Sequence, residues 1–210
     1  MAITTIRPDA NVSGATLYNT TGGAGSVWSN LQDNLNTSYI RKDNAVSGSA
    51  DVVFGVANNT IAANERVKRV RLRIRAKTDT TSGKINAYLG TRVNSTNYFH
   101  SGYAIRGQYS SITDFTGPWH TQSPDGSAWS QTSINGIRGK ITEYRDGADR
   151  GYIYEYYVDV DKSTQGSVSV SAPTGTVSST ASPDVTWSYS DPDSETQTYY
   201  EVKIFTAAVS

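Results

Sequence analysis

From Val70 to Lys77 the chain reads V-R-L-R-I-R-A-K, apolar and basic in strict alternation. A strand repeats every two residues, so Val70, Leu72, Ile74 and Ala76 share one face. Arg69, Arg71, Arg73, Arg75 and Lys77 share the other. A helix would scatter the same charges around its circumference. Residues 67–77 therefore read as a strand with one dry face and five cations opposite. What answers those cations is the main functional question the chain poses.

A second patterned stretch, Y-I-Y-E-Y-Y-V-D-V-D at 152–161, places Tyr154, Tyr156, Val158 and Val160 on one face. Glu155, Tyr157, Asp159 and Asp161 fall on the other, an acidic row that complements the arginine row. If the two strands pair, each cross-strand charge pair contributes roughly 0.2–1 kcal/mol. Further strands are expected at 51–57, 85–89 and 134–142, with a short one at 38–41. Trp28, Leu31 and Leu35 read as one helical turn capped by Ser29. Residues 78–84 read as a hairpin turn and 145–151 as a polar turn. Hydrophobic residues are 36% of the chain, enough for a core, and Gly, Ser, Thr and Asn fill the intervals. That is the composition of many short strands joined by tight turns, and no stretch has the period of a long amphipathic helix.

The 210 residues contain no cysteine, which excludes a disulfide framework and thiol chemistry. The N-terminal stretch lacks the apolar run of a secretory signal, and no segment is long and apolar enough to span a bilayer. Net charge is zero but uneven. Residues 1–162 hold 18 basic and 14 acidic residues, whereas 163–210 hold Lys203 against five acids. The switch supports a boundary: a first β-sandwich domain at 1–162, a linker at 163–167, and part of a second, immunoglobulin-like domain at 168–210. Alternation at Val185, Trp187 and Tyr189, and again at Tyr200, Val202 and Ile204, reads as a hairpin of that second sandwich. It holds about half the ~100 residues such a domain needs, so the chain reads as the front portion of a longer polypeptide.

Three passages carry a resemblance: the opening I-R-P-D-A-N-V-S-G, the basic strand, and W-S-Q-T-S-I-N-G-I-R-G followed by Y-I-Y-E-Y-Y-V-D-V. Together they resemble the N-terminal jelly-roll domain of tailed-bacteriophage virion proteins, minor tail proteins among them. The stretch V-T-W-S-Y-S-D-P-D-S-E-T-Q-T-Y-Y-E-V-K-I-F is similar to the first strands of the fibronectin-III-like domains that often follow, with Ser194 where those domains often have glycine. The resemblance implies an all-β chain, a jelly roll followed by the start of an immunoglobulin or fibronectin-III-like sandwich. It implies a virion structural protein, in the tail or decorating the capsid, assembled in the host cytoplasm and present as a homo-oligomer or in many copies. The expected partners are other virion proteins, with no nucleic acid and no membrane among them.

Two sets of residues are candidate contacts. Arg69, Arg71, Arg73, Arg75 and Lys77 form a docking face, or else meet Glu155, Asp159 and Asp161 within the domain, or solvent. Tyr109, Trp119 and Trp129 stand in loop-like context where a ring can stack on a sugar of a host-surface glycan; the competing reading is core and lid packing. A carbohydrate-binding module is thus the alternative function. Asp191, Asp193 and Glu195 form a D-x-D-x-E run with too few oxygens for calcium, and turn capping accounts for it more simply. No metal or other cofactor is expected. His100 and His120 sit in no nucleophile or metal motif, and there is no G-x-S-x-G, H-E-x-x-H or phosphate loop. An enzyme is not expected; a glycosidase would need two convergent carboxylates, and Asp114 and Asp125, near Trp119, are the ones to inspect.

Overall fold

The computed structural model describes residues 2–21, 27–32, 37–42, 49–79, 84–144, 151–172 and 184–194. In chain order the strands are β1 (Ala2–Ile6), β2 (Pro8–Ser13), β3 (Tyr18–Thr21), β4 (Tyr39–Lys42), β5 (Ser49–Val56), β6 (Glu65–Thr78) and β7 (Lys84–Val93). They continue with β8 (Thr96–Phe99), β9 (Tyr103–Arg106), β10 (Tyr109–Thr116), β11 (Ile137–Tyr144), β12 (Gly151–Thr164), β13 (Ser167–Ala172) and β14 (Thr186–Ser190). Among the described residues a 3-10 turn (Ala15–Leu17) and two short α-helices, α1 (Val27–Asn30) and α2 (Gln131–Asn135), interrupt them.

The chain is all-β, and its body is a sandwich of two antiparallel sheets. The first runs β10-β6-β12-β4-β3, with β1 also on β12. The second runs β2-β5-β11-β7-β8, with β9 also on β7. The expected pairing of the two patterned strands occurs: β6 and β12 run antiparallel, with Arg75 opposite Glu155, Arg73 opposite Tyr157, Arg71 opposite Asp159 and Arg69 opposite Asp161. The dry faces of both strands point into the sandwich. Val70, Leu72, Ile74 and Ala76 meet Val52, Phe54, Ile85, Leu89 and Ile141 of the facing sheet in one buried cluster. At its centre the Tyr156 ring stands edge-on to Phe54 at 4.8 Å, and its hydroxyl donates to the Tyr88 carbonyl at 2.9 Å. The Phe54 ring lies over Gly139, where any Cβ would collide with it.

The alternation in β12 departs from expectation at one point. The register slips between Ile153 and Glu155, so Tyr154 is the extra residue of a bulge. Ile153 enters the core and Tyr154 does not; it joins Tyr152 and Tyr39 in a cluster of rings, 5.5 Å and 5.0 Å from Tyr39. The bulge reverses parity, which a strict period of two cannot register. A second slip, between Asp161 and Lys162, turns Lys162 toward Glu65, whose carboxylate it reaches at 2.9 Å.

Other local expectations are corrected. Ile134 belongs to α2 and not to a strand: Ser130 caps that helix by accepting from the Ser133 N–H, and Ser133 returns the bond to the Ser130 N–H. Ser29 lies inside α1, not before it. Strand β12 runs through Thr164, leaving only Gln165 and Gly166 between it and β13. The alternating Thr186–Ser190 segment pairs with β13, a Ser/Val stretch, as a separate two-stranded sheet. Val168 and Val170 of that sheet remain more than half exposed. Leu35, the turn residues 80–83 and 145–150, Glu195 and the strand through Tyr200, Val202 and Ile204 lie outside the described residues.

Candidate functional site

The outer face of the first sheet carries the arginine row, and β12 beside it carries the acids. Arg69 Nε donates to Asp161 Oδ2 at 2.7 Å and Arg71 Nε to Asp159 Oδ2 at 3.0 Å. Arg75 bridges two carboxylates, Glu155 at 2.9 Å and Asp114 of β10 at 2.9 Å. Arg7, from the β1–β2 connection, adds a contact to Glu155 at 3.2 Å, and Thr5 donates to Asp159 at 2.9 Å. The acids are sealed off: the side chains of Asp161, Asp159 and Glu155 are 0%, 2% and 2% exposed, against 38% for Arg69 and 25% for Arg71. Strand neighbours flank them and the long arginine stems roof them over.

Aromatic rings complete the roof. Trp119 lies against both Arg69 and Arg71, whose guanidinium carbons are 4.5 Å and 4.3 Å from its ring. Tyr157 takes Arg73 at 4.6 Å and Arg7 at 5.4 Å, and Tyr152 takes Lys77 at 4.6 Å. Each such contact contributes about 0.5–1 kcal/mol at an exposed site. The five cations are therefore not equivalent. Arg69, Arg71 and Arg75 are neutralised by carboxylates. Arg73 and Lys77 form no salt bridge among the described residues and lie over rings; Arg73 also acts through space on Asp114, and its Nε is buried without a hydrogen-bond partner among those residues.

The three candidate sugar-stacking rings do not form one platform. Tyr109 packs edge-on against Phe115 at 4.8 Å and pairs with Thr78, whereas His120, next to Trp119, pairs with Val70. Eight residues of β6 separate those levels, about 26 Å at 3.3 Å per residue. Trp119 is the lid over Arg69 and Arg71. Trp129 is 7% exposed, donates from Nε1 to the His120 carbonyl at 2.9 Å, and lines an open hollow of about 300 Å³ with Ile61, Glu65, Arg66 and Gln131.

The remaining titratable candidates are occupied. Asp114 is held by two Arg75 nitrogens, at 2.9 and 3.3 Å, and that hydrogen bonding lowers its pKa. Asp125 accepts from the Ser127 N–H and hydroxyl, a turn-capping arrangement. Asp191 likewise accepts from the Asp193 N–H at 2.7 Å, and Asp193 from the Thr164 N–H at 2.5 Å. Ser194 follows at φ 59°, the left-handed conformation that glycine adopts without strain. No group of three or more metal-ligating side chains occurs among the described residues.

Sequence reasoning missed two clusters. On the outer face of the second sheet Lys140 Nζ sits 4.0 Å from the Tyr88 ring and 5.1 Å from that of Phe99, which itself lies over Gly90. A glycine inside a strand run is the signal that a neighbour approaches closely there. His100, just past β8, and His120, on the edge of β6, stack at 3.7 Å with 11° between their planes. They lie twenty residues apart with β9 and β10 between them, so no spacing rule connects them.

Burial, and then the charge of its neighbour, lowers the His100 pKa from 6.5 to about 4; burial also lowers that of His120. A histidine that protonates more readily unfolded than folded stabilises the fold above its unfolded pKa. That contribution is lost as pH falls from about 6.5 toward about 4. The urea midpoint is therefore expected to drop between pH 7 and pH 5, and His100→Gln to flatten that drop. Equal slopes for the two proteins would show that the stack does not set the acid limb.

No protein-family model matches the chain, and no curated protein matches its sequence. Solved structures give distant likenesses. TmCBM61 in complex with β-1,4-galactotriose is 7% identical over 76% of this chain and 88% of that one, with a TM-score of 0.39. The enzymatically active domain of bacteriophage CBA120 tailspike protein 4 is 12% identical over 76% of this chain, with a TM-score of 0.39. The arabinose-bound MgGH51 α-L-arabinofuranosidase is 12% identical over 74% of this chain, with a TM-score of 0.39. The chain spans 19% and 26% of the latter two. Likenesses this distant assign neither an activity nor a ligand.

Proposed function

We propose that the chain is a non-catalytic attachment module of a tailed-bacteriophage virion, a minor tail protein or a capsid decoration. It holds its neighbours through the outer face of the first sheet and works in many copies, so that weak contacts add by avidity. The observation that carries this reading is the division of the cation row. Arg69, Arg71 and Arg75 are spent in salt bridges inside the domain, whereas Arg73 and Lys77 form none among the described residues and are held in place by Tyr157 and Tyr152. Cations that are already immobilised lose little side-chain entropy on docking to an acidic partner.

Arg73→Glu combined with Lys77→Glu is expected to abolish incorporation into particles while leaving the melting temperature within a few degrees of wild type. Incorporation at the wild-type level would refute docking through this face. A second reading, a carbohydrate-binding module for host-surface attachment, is favoured by the open hollow beside Trp129.

A further inference from the structure

We infer that the stacked pair His100 and His120 is an acid-operated latch: on taking up protons it releases residues 118–128 from the side of the sandwich and lifts Trp119 off Arg69 and Arg71. The inference goes beyond the docking reading and holds whatever the outer face binds.

The pair closes a seam between the two sheets. His120 is fastened to β6 of the first sheet: its N–H donates to the Val70 carbonyl at 2.8 Å, and its carbonyl accepts from the Val70 N–H at 2.9 Å. His100 is fastened to β7 of the second, its N–H donating to the Leu89 carbonyl at 2.9 Å. The two rings meet at 3.7 Å and are nearly parallel. Lone pairs on ring nitrogens lie in the ring planes, so parallel rings do not aim them at one metal ion. The contact is a stack and not half of a metal site.

Little else holds the segment down. From Pro118 to Ala128 no apolar side chain is buried. Several of its polar bonds are internal, Gln122 bridging to Ala128 and the Ser123 N–H donating to the Ser127 carbonyl. Besides the stack and the Val70 bonds, Trp119 rests on Arg69 and Arg71, Trp129 Nε1 donates to the His120 carbonyl at 2.9 Å, and His100 Nε2 faces the Gln122 carbonyl at 3.1 Å. A segment with few buried apolar contacts opens at less cost than the whole fold.

Nothing around the rings compensates a positive charge on them. Burial disfavours the charged form of both, and the His120 charge disfavours that of His100; the Gln122 carbonyl acts the other way and is outweighed. The flanking strands bring cations: Arg69 and Arg71 on β6, already paired with Asp161 and Asp159, Arg92 on β7 and Lys140 on β11. Tyr88 and Tyr98 are neutral in acid. Asp125, within the segment, is exposed and bound to Ser127. Two imidazolium rings in contact repel, whereas in the open segment both are hydrated. Opening therefore takes up protons, and it is favoured as pH falls from about 6.5 toward about 4.

The test is amide hydrogen exchange by NMR on the full chain at pH 7 and pH 5, with and without low urea. Protection of the Val70 and His120 amides is expected to fall about tenfold or more, the change that one linked histidine gives over this interval. Exchange at these two amides is expected to be insensitive to low urea, because a local opening exposes little surface. His100→Gln combined with His120→Gln is expected to hold their protection constant between the two pH values. Unchanged protection in the wild type, or an equal fall in the double variant, would overturn the latch. Should the double variant not fold, the imidazole C–H titrations of the wild type decide. Midpoints below 6.5 for both rings, with the backbone signals of 118–128 moving in step, support the latch; midpoints at or above 6.5 overturn it.

Discussion

Tyr156→Ala is expected to lower stability by about 3–5 kcal/mol, the range for truncating a large buried aromatic. For a chain of this size that is a fall in melting temperature of about 10 °C or more. The ring is fully buried at the middle of β12, edge-on to Phe54, and the Phe54 ring in turn lies over Gly139. Truncation leaves a void that cannot close, because the strands on both sides are held in register by their neighbours. Tyr156→Phe separates the ring from its hydroxyl. It removes the bond to the Tyr88 carbonyl and is expected to cost only about 1 kcal/mol. Denaturant midpoints of the two variants give the comparison. Equal losses would mean that the hydroxyl, and not the packed ring, ties the two sheets together at this point.

Arg69→Ala is expected to cost about 3 kcal/mol, well above the effect of an ordinary surface charge. The reason lies in its partner. Asp161 is wholly buried, its Oδ1 accepts no hydrogen bond among the described residues, and its Oδ2 depends on Arg69 at 2.7 Å. Removing the guanidinium strands a buried carboxylate, which costs more than the ion pair contributes when both members are present. Replacing both members with apolar residues, Arg69→Met with Asp161→Leu, is expected to restore most of the loss. The same logic predicts weak dependence on salt, since the carboxylate is sheltered from the ionic atmosphere. A thermodynamic cycle built on these variants checks the argument. A double variant as unstable as Arg69→Ala would place the cost elsewhere, in the lost stacking on Trp119.

Most of the frame was legible because the two longest strands obey a period of two. The alternation at Val70 to Lys77 and that at 156–161 were sufficient to pair β6 with β12 and to match arginine with carboxylate. Tyr154 was misplaced because a bulge changes which face follows, and a bulge arises from backbone geometry that side-chain pattern does not encode. Helix α2 went unread because its reciprocal cap uses Ser133 where the familiar pattern has a glutamate or glutamine. The site was legible only in part. The cations and Trp119 were named separately, yet nothing in either stretch says that the ring lies across Arg69 and Arg71. The Trp129 hollow, the histidine stack and the ring of Tyr88 under Lys140 join segments distant along the chain. Contacts of that kind follow from topology and leave no local periodicity.

Strand β12 also has a mechanical meaning. It pairs with β6 at thirteen positions from Gly151 to Thr164, and with β1 at five more on its other side, and it continues almost directly into the hairpin that follows. The ladder bonds of antiparallel strands lie perpendicular to the chain. Tension arriving from the C-terminal side would therefore load these rungs in parallel, as shear, and not one after another as in a zipper. Such a strand serves as a tether anchor: force on whatever follows Thr164 is shared across the full length of the sheet before any single bond gives way.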